Sequence, residues 1–268
     1  MRLRFFFIAF FTSLTVALAA CSQQSSKSPG ETQAGSAADQ EKGPREGSAS
    51  SGCGNLPSAD QLRTWLRQAP AEGGEAGGLF SGKMSWASIV DRQGVICVTV
   101  VSTDDPASTW PGSQAIAKAK AYTANAYSTD NLALSTARLY TLTQPGHSLW
   151  GVAEPNAFNP DCLVGPRDAG KTNGKLCGGQ IAFGGGLALY KDKTRVGALG
   201  VSGDTACTDH EIAKRIRHLA QLDPDKGELA DDITYSKADG PSQFTHPLCA
   251  NTFRNGMKIG DEPNASGY

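Results

Sequence analysis

Gly184-Gly185-Gly186-Leu187-Ala188-Leu189-Tyr190, Lys191-Asp192-Lys193 and Thr194-Arg195-Val196-Gly197-Ala198-Leu199-Gly200-Val201 form the stretch from which the fold is read. Residues 181–190 and 194–201 are short, largely apolar runs, and the charged triplet between them supplies a turn, so the spacing predicts a hairpin. Thr208-Asp209-His210-Glu211 follows. Thr208 as N-cap with Glu211 three residues on makes a capping box. Ile212, Ile216 and Leu219 then give a helix one apolar stripe. Upstream the same pattern recurs. Residues 84–90 and 95–101 read as two strands about Asp91-Arg92-Gln93-Gly94, where Gly94 is free to take positive φ. Residues 113–127 read as an Ala-rich helix, with Ala115, Ala119, Tyr122 and Ala126 on one face and small enough to lie close to a sheet. Residues 131–138 read as a second helix in this region. A hairpin, helices, a second hairpin and a closing helix predict an α+β fold, an antiparallel sheet with helices packed on it.

The ends are read from composition. Arg2 and Arg4, the apolar run 5–17 and Leu18-Ala19-Ala20-Cys21 resemble a bacterial lipoprotein signal, so residues 1–20 are expected to be removed and Cys21 lipidated. The bland alternative is an ordinary secretory signal or an uncleaved anchor. Residues 22–52 hold Ser, Gly, Gln and Ala without apolar periodicity and read as a flexible tether of roughly 30 Å reach. The domain is expected over 53–255, with a flexible tail at 256–268. In it, 58–68 reads as a helix capped by Ser58 with Leu62, Trp65 and Leu66 at helical spacing, and 70–78 as a loop. This places the protein in the cell envelope, on the periplasmic or cell-surface side, held to the membrane through its lipid. A net charge of −1 for the full chain excludes nucleic-acid binding by bulk electrostatics.

An exported chain can hold disulfides. Seven cysteines leave six once Cys21 is lipidated, and six allow fifteen pairings. Cys162 and Cys177 flank one Gly/Lys-rich loop and are the first pair expected. Cys207 with Cys249 would staple the C-terminal region to the domain, and Cys53 with Cys97 is what remains. A buried free thiol is the alternative for Cys97. The long loop 144–180 that holds the first pair is either functional or pinned. No C-x-x-C is present, and no metal-ligand spacing is visible.

Four segments carry a family likeness in a fixed order. They are Ile89-Val90-Asp91-Arg92-Gln93-Gly94, Lys120-Ala121-Tyr122-Thr123-Ala124, Gly184-Gly185-Gly186-Leu187-Ala188-Leu189, and Gly197-Ala198-Leu199-Gly200-Val201-Ser202-Gly203 followed by Asp209 to Ala213. Over residues 84–220 the chain resembles the GlcG/HbpS-like group, the haem-degrading or haem-binding domain family. The resemblance implies a profilin-like α+β fold, haem or a related tetrapyrrole as cofactor, and assembly into dimers or larger homo-oligomers. This chain departs from the family at Ser102 to Trp110, at Asp204, and in a cysteine-bearing insertion around 154–180.

Candidate chemistry is sparse. Gly165 to Thr172 matches the P-loop pattern formally, but Asn173-Gly174 denies it a helix and no strand precedes it, so a nucleotide is not expected. Gly200-Val201-Ser202-Gly203 lacks the last glycine of a nucleophile elbow. For haem, an axial group would come from His, Met, Cys or Tyr. His147 is the first candidate, in a loop beside Leu149 and Trp150. His210, at the start of the closing helix, is the second, and Tyr122 and Tyr127 are alternatives. Lys120 and Lys118 would pair with propionates or line a solvated face. Gly184, Gly185 and Gly186 would let a flat ligand lie on the backbone, or mark a bulge. No catalytic residue is identified. The function expected is haem or tetrapyrrole binding for sequestration, sensing or slow degradation. The alternatives are an interaction module without cofactor and an enzyme on a small organic substrate.

Overall fold

The computed structural model describes residues 52–165, 168–171 and 174–261. The signal 1–20, Cys21, all of the tether but Gly52, and 262–268 lie outside the described residues, as does part of the P-loop-like run.

Strands β1 (Glu75–Gly77), β2 (Trp86–Asp91), β3 (Ile96–Val101), β4 (Gly186–Lys191) and β5 (Thr194–Ser202) precede the C-terminal β6 (Thr234–Tyr235), β7 (Thr245–His246) and β8 (Thr252–Gly260). The helices are α1 (Ala59–Gln68), α2 (Ser113–Tyr127), α3 (Ala206–Leu219) and the short α4 (Ser236–Asp239). The central sheet is antiparallel in the order β3-β2-β5-β4. Both expected hairpins are present, and β2 pairs with β5 so that Ile89 faces Leu199. The β4–β5 turn is a two-residue one, with Asp192 at φ 50° and Lys193 at φ 65°, the left-handed pair whose twist suits a tight hairpin.

The pleat sends alternate residues to opposite faces. Ala87, Ile89, Leu187, Leu189, Leu199 and Val201 meet Leu62 and Leu66 of α1 and Ile212 and Ile216 of α3. Val90, Ile96 and Ala198 point the other way, to Ala121 and Ala124 of α2. The fold is therefore α+β, an antiparallel sheet with helices on both faces. α2 lies very close: a Cβ on Gly200 would sit 2.0 Å from the Ala117 carbonyl oxygen.

α2 spans the expected residues but not the expected face. Ala117, Ala121 and Ala124 meet the sheet, whereas Ala126 is exposed. Ala119 faces Gly179 of the long loop, so the helix is covered on two sides and shows no single stripe. The helix expected over 131–138 is a 3-10 turn at Thr136–Leu139. Ser128 Oγ accepts from Leu134 N–H, and the Tyr190 hydroxyl donates to the Thr129 and Leu132 carbonyls, so side chains take the groups a helix would use. β4 starts at Gly186 rather than 181, because Ile181 N–H goes to Thr123 Oγ1 and Gly184 N–H to His246 Nε2 instead of to a strand. Helix α3 starts one turn early: its cap is Thr205, which accepts from Thr208 N–H. α1 has a full capping box between Ser58 and Gln61.

The C-terminal region differs most from expectation. β8 pairs with β1, which lies in the expected 70–78 loop, and it runs to Gly260, past the expected start of the tail at 256. The disulfides are the three expected: Cys53–Cys97 joins the approach to α1 with β3, Cys162–Cys177 closes the long loop, and Cys207–Cys249 ties α3 to the approach to β8.

Candidate functional site

A cavity of about 370 Å³ lies between the end of α2, residues 139–154 and Gln180 to Phe183, a size within the roughly 300–1,000 Å³ of small-molecule sites. Its walls are aromatic and aliphatic: Tyr127, Tyr140, Trp150 and Phe183, with Leu139, Leu149, Val152 and Ile181. The polar groups around it are Thr123, Thr143, Gln144, Glu154 and Gln180. Trp150 is 64% exposed, so this wall faces solvent.

Each wall is held from behind. Thr123 Oγ1 donates to Ala119 O and accepts from Ile181 N–H, which clips the 180–183 segment to α2. Thr136 Oγ1 donates to Phe183 O at 2.7 Å. Tyr140 packs its ring on His246, centroids 5.0 Å apart, while its carbonyl accepts from Gln144 Nε2. The Tyr127 hydroxyl donates to Gln180 Oε1 at 3.4 Å. A flat, mostly apolar molecule can be stacked and dried here, because aromatic faces offer large area at fixed geometry.

The residues singled out from sequence are not gathered in this cavity. His147 is exposed, in a turn where its N–H donates to Gln144 O; it sits on the loop whose other residues form the wall but does not line the cavity. His210 is fully buried, its Nε2 3.4 Å from Asp232 Oδ1. Burial raises the Asp232 carboxyl, but His210 and Lys214 outweigh it and hold the group well below the usual range. Lys120 is also fully buried. It donates to Val201 O and to Asp209 Oδ2 at 2.8 Å, and it stands 4.8 Å from the Phe183 ring centroid, behind the wall rather than in it. Burial pulls Lys120 down and raises Asp209 to about 6, with their mutual attraction opposing both shifts. Lys118 bonds Cys162 O and Gln114, so it too is no solvated propionate partner, and burial brings it to about 8.

The three glycines are closed off by protein. A Cβ on Gly184 would sit 2.2 Å from Ala206 O, on Gly185 (φ +118°) 2.5 Å from Val201 O, and on Gly186 2.6 Å from Lys120 O. They let α2 and α3 approach the sheet, and they do not line the cavity.

Sequence reasoning passed over His246. It is buried behind Gly184, accepting from its N–H at Nε2, with Nδ1 on Pro247 O. Burial holds its pKa at about 4, and His210 and Lys120 act in the same sense against the Pro247 carbonyl. Nothing local marks this histidine. It matters because residues far away in the chain close over it.

The family model for "Haem degrading protein HbpS-like" matches residues 74–217. Among solved structures, a PduOC:heme complex is 25% identical, with a TM-score of 0.43 over 61% of this chain and 92% of that chain. Klebsiella pneumoniae protein ORFY is 22% identical, with a TM-score of 0.42 over 61% and 87%. A double mutant of Streptomyces reticuli HbpS is 19% identical, with a TM-score of 0.37 over 62% and 91%. A comparison with curated proteins finds no match. The match spans more than half of the sequence, and the chain belongs to the HbpS-like family of haem degrading proteins.

Proposed function

We propose that this domain captures haem or a related flat tetrapyrrole, without covalent attachment, in the cavity between α2, the 139–154 segment and Gln180 to Phe183. The observation that carries the reading is an aromatic-walled cavity in a chain of a haem degrading family. Phe183, Tyr140 and Trp150 would stack on the macrocycle, while Leu149, Val152 and Ile181 exclude water. Haem, when bound, supplies a redox-active iron. Among the described residues no cation lines the cavity, so the ligand's carboxylates would be left to solvent. Capture thus rests on apolar contact more than on charge.

The same proposal places the protein outside the cytoplasm, tethered through Cys21 and the 22–52 segment. The signal-like N-terminus supports this, and three disulfides suit an oxidising compartment.

The test is a ferric haem titration of the mature polypeptide freed of its lipidated cysteine, residues 22–268, followed at the Soret band, with His147→Ala beside it. A saturable one-to-one shift in the parent supports capture. No shift in the parent refutes it and leaves the partner-binding module. Loss of haem on adding a reductant or peroxide would make the protein an enzyme.

A further inference from the structure

We propose that the Tyr127 hydroxyl oxygen is the axial group this chain presents to a haem iron, with Gln180 as its positioning partner; the assignment rests on the haem reading above. The protein groups that bind haem iron are commonly His, Cys, Met and Tyr. Among the described residues, no His, Cys or Met lines the cavity, whereas two tyrosines do.

The other donors are bonded elsewhere or buried away from the cavity. His246 has both ring nitrogens engaged, on Gly184 N–H and Pro247 O. His210 is fully buried against Asp232, and His218 pairs with Asp223 at 2.8 Å. All six cysteines of the domain are in disulfides. His147 is exposed and outside the lining.

Of the two tyrosines, Tyr127 has its hydroxyl bonded to a second residue of the lining. That residue is Gln180, and Tyr127 ends a rigid helix clipped to the same segment through Thr123. Tyr140 packs its ring on His246 and serves as wall. The choice of Gln at 180 suits a group that must change charge. A carboxamide carries both an acceptor and donors. Its oxygen accepts from the neutral phenol; turned over, its NH2 donates to the phenolate. Were ferric iron bound, the phenol would give its proton to solvent, and Gln180 could hold the oxygen in either state.

The experiment uses ferric haem and the mature polypeptide, read by absorbance and by resonance Raman with Soret excitation. The parent should show saturable binding with a phenolate-to-iron charge-transfer band and phenolate ring modes. Tyr127→Phe should abolish both signatures and weaken binding tenfold or more, with unchanged circular dichroism and thermal unfolding. Tyr127→His should replace them with an imidazole-type spectrum, which guards against a folding artefact in the first variant. His147→Ala, outside the cavity lining, should keep the parent's signatures. Saturable binding in the parent without phenolate signatures overturns the ligand assignment alone, as does a Tyr127→Phe spectrum like the parent's. Loss of the signatures in His147→Ala, with Tyr127→Phe unaltered, overturns it too. No saturable shift in the parent fells the haem reading, and this assignment with it.

Discussion

Lys120 Nζ and Asp209 Oδ2 meet at 2.8 Å with both side chains almost wholly buried, and their ion pair is the bridge between α2 and α3. The two helices lie on opposite faces of the sheet. The pair reaches across its edge where Gly185 leaves room, a Cβ there coming 2.7 Å from Lys120 Nζ. Asp209 Oδ1 also accepts from Asp204 N–H, so the carboxylate fixes the turn before α3 as well.

Removing one partner of this pair leaves the other charge buried. Lys120→Met is expected to cost about 3–5 kcal/mol. Adding Asp209→Asn, which removes the stranded charge and keeps an oxygen for Asp204 N–H, should recover most of it. Urea denaturation of the two variants and the parent is the measurement. A single-variant loss under about 1 kcal/mol would contradict a structural role for the pair.

His246 should make stability depend on pH. Its folded pKa of about 4 lies below the ordinary histidine value of about 6.5. The unfolded chain then binds the extra proton first, so stability is lost as pH falls from about 6.5 to 4. The loss approaches about 3 kcal/mol at 1.36 kcal/mol per unit. Asp209 acts in the opposite sense. Its folded pKa is raised to about 6, so stability is lost as pH rises between about 4 and 6. A difference profile isolates the histidine: the penalty of His246→Gln should shrink by about 3 kcal/mol between pH 7.5 and pH 4. A penalty constant across that range would refute the assignment.

The Cys162–Cys177 bridge closes a loop of 15 residues, for which chain entropy gives about 3 kcal/mol. Cys162→Ser with Cys177→Ser should lose that much in chemical denaturation. The Cys207–Cys249 bridge closes 42 residues, and its removal should cost about 4 kcal/mol. The check is the ranking of the two double variants; the reverse order would count against the loop-length account.

Trp150 tests the cavity without touching the core, because most of its side chain is in solvent. Trp150→Ala should weaken haem binding about tenfold, the equivalent of 1.4 kcal/mol of lost stacking. Its melting temperature should match the parent's. Equal affinity in the two proteins would place the ligand elsewhere.

Gly200→Ala is expected to destabilise by 1–3 kcal/mol or more, as overpacking does. The added methyl would meet the Ala117 carbonyl and the Ala121 nitrogen, which are backbone atoms that no rotamer change can move aside. Thermal unfolding measures it, and a neutral result would mean that α2 has room to lift from the sheet.

What the sequence by itself determined is what local contacts decide. Both hairpins are legible because apolar runs of strand length flank Gly94 and the 191–193 turn, and strand pairing across a short turn needs only those residues. α1 is legible because its cap and its apolar stripe lie within eleven residues. That the cysteines would pair was legible in a chain read as exported, and Cys162 with Cys177 from the loop they flank, but the fold selected the three bridges among fifteen possible sets. The segments that carry the family likeness also lie mainly in these local elements. Tertiary structure decided the rest. It chose Ala117, Ala121 and Ala124 over the face of Ala115 and Ala126, since a helix of alanines covered on two sides has no stripe to read. It made β8 a strand by pairing it with β1, far away in the chain. It turned Lys120 from a candidate ligand contact into half of a buried ion pair, and the three glycines from a ligand platform into helix contacts. It also put Tyr127, Tyr140, Trp150 and Phe183 around one cavity and left His147 outside it. Side chains from three separate segments form that cavity, and no spacing within any one of them records which of the others it will meet.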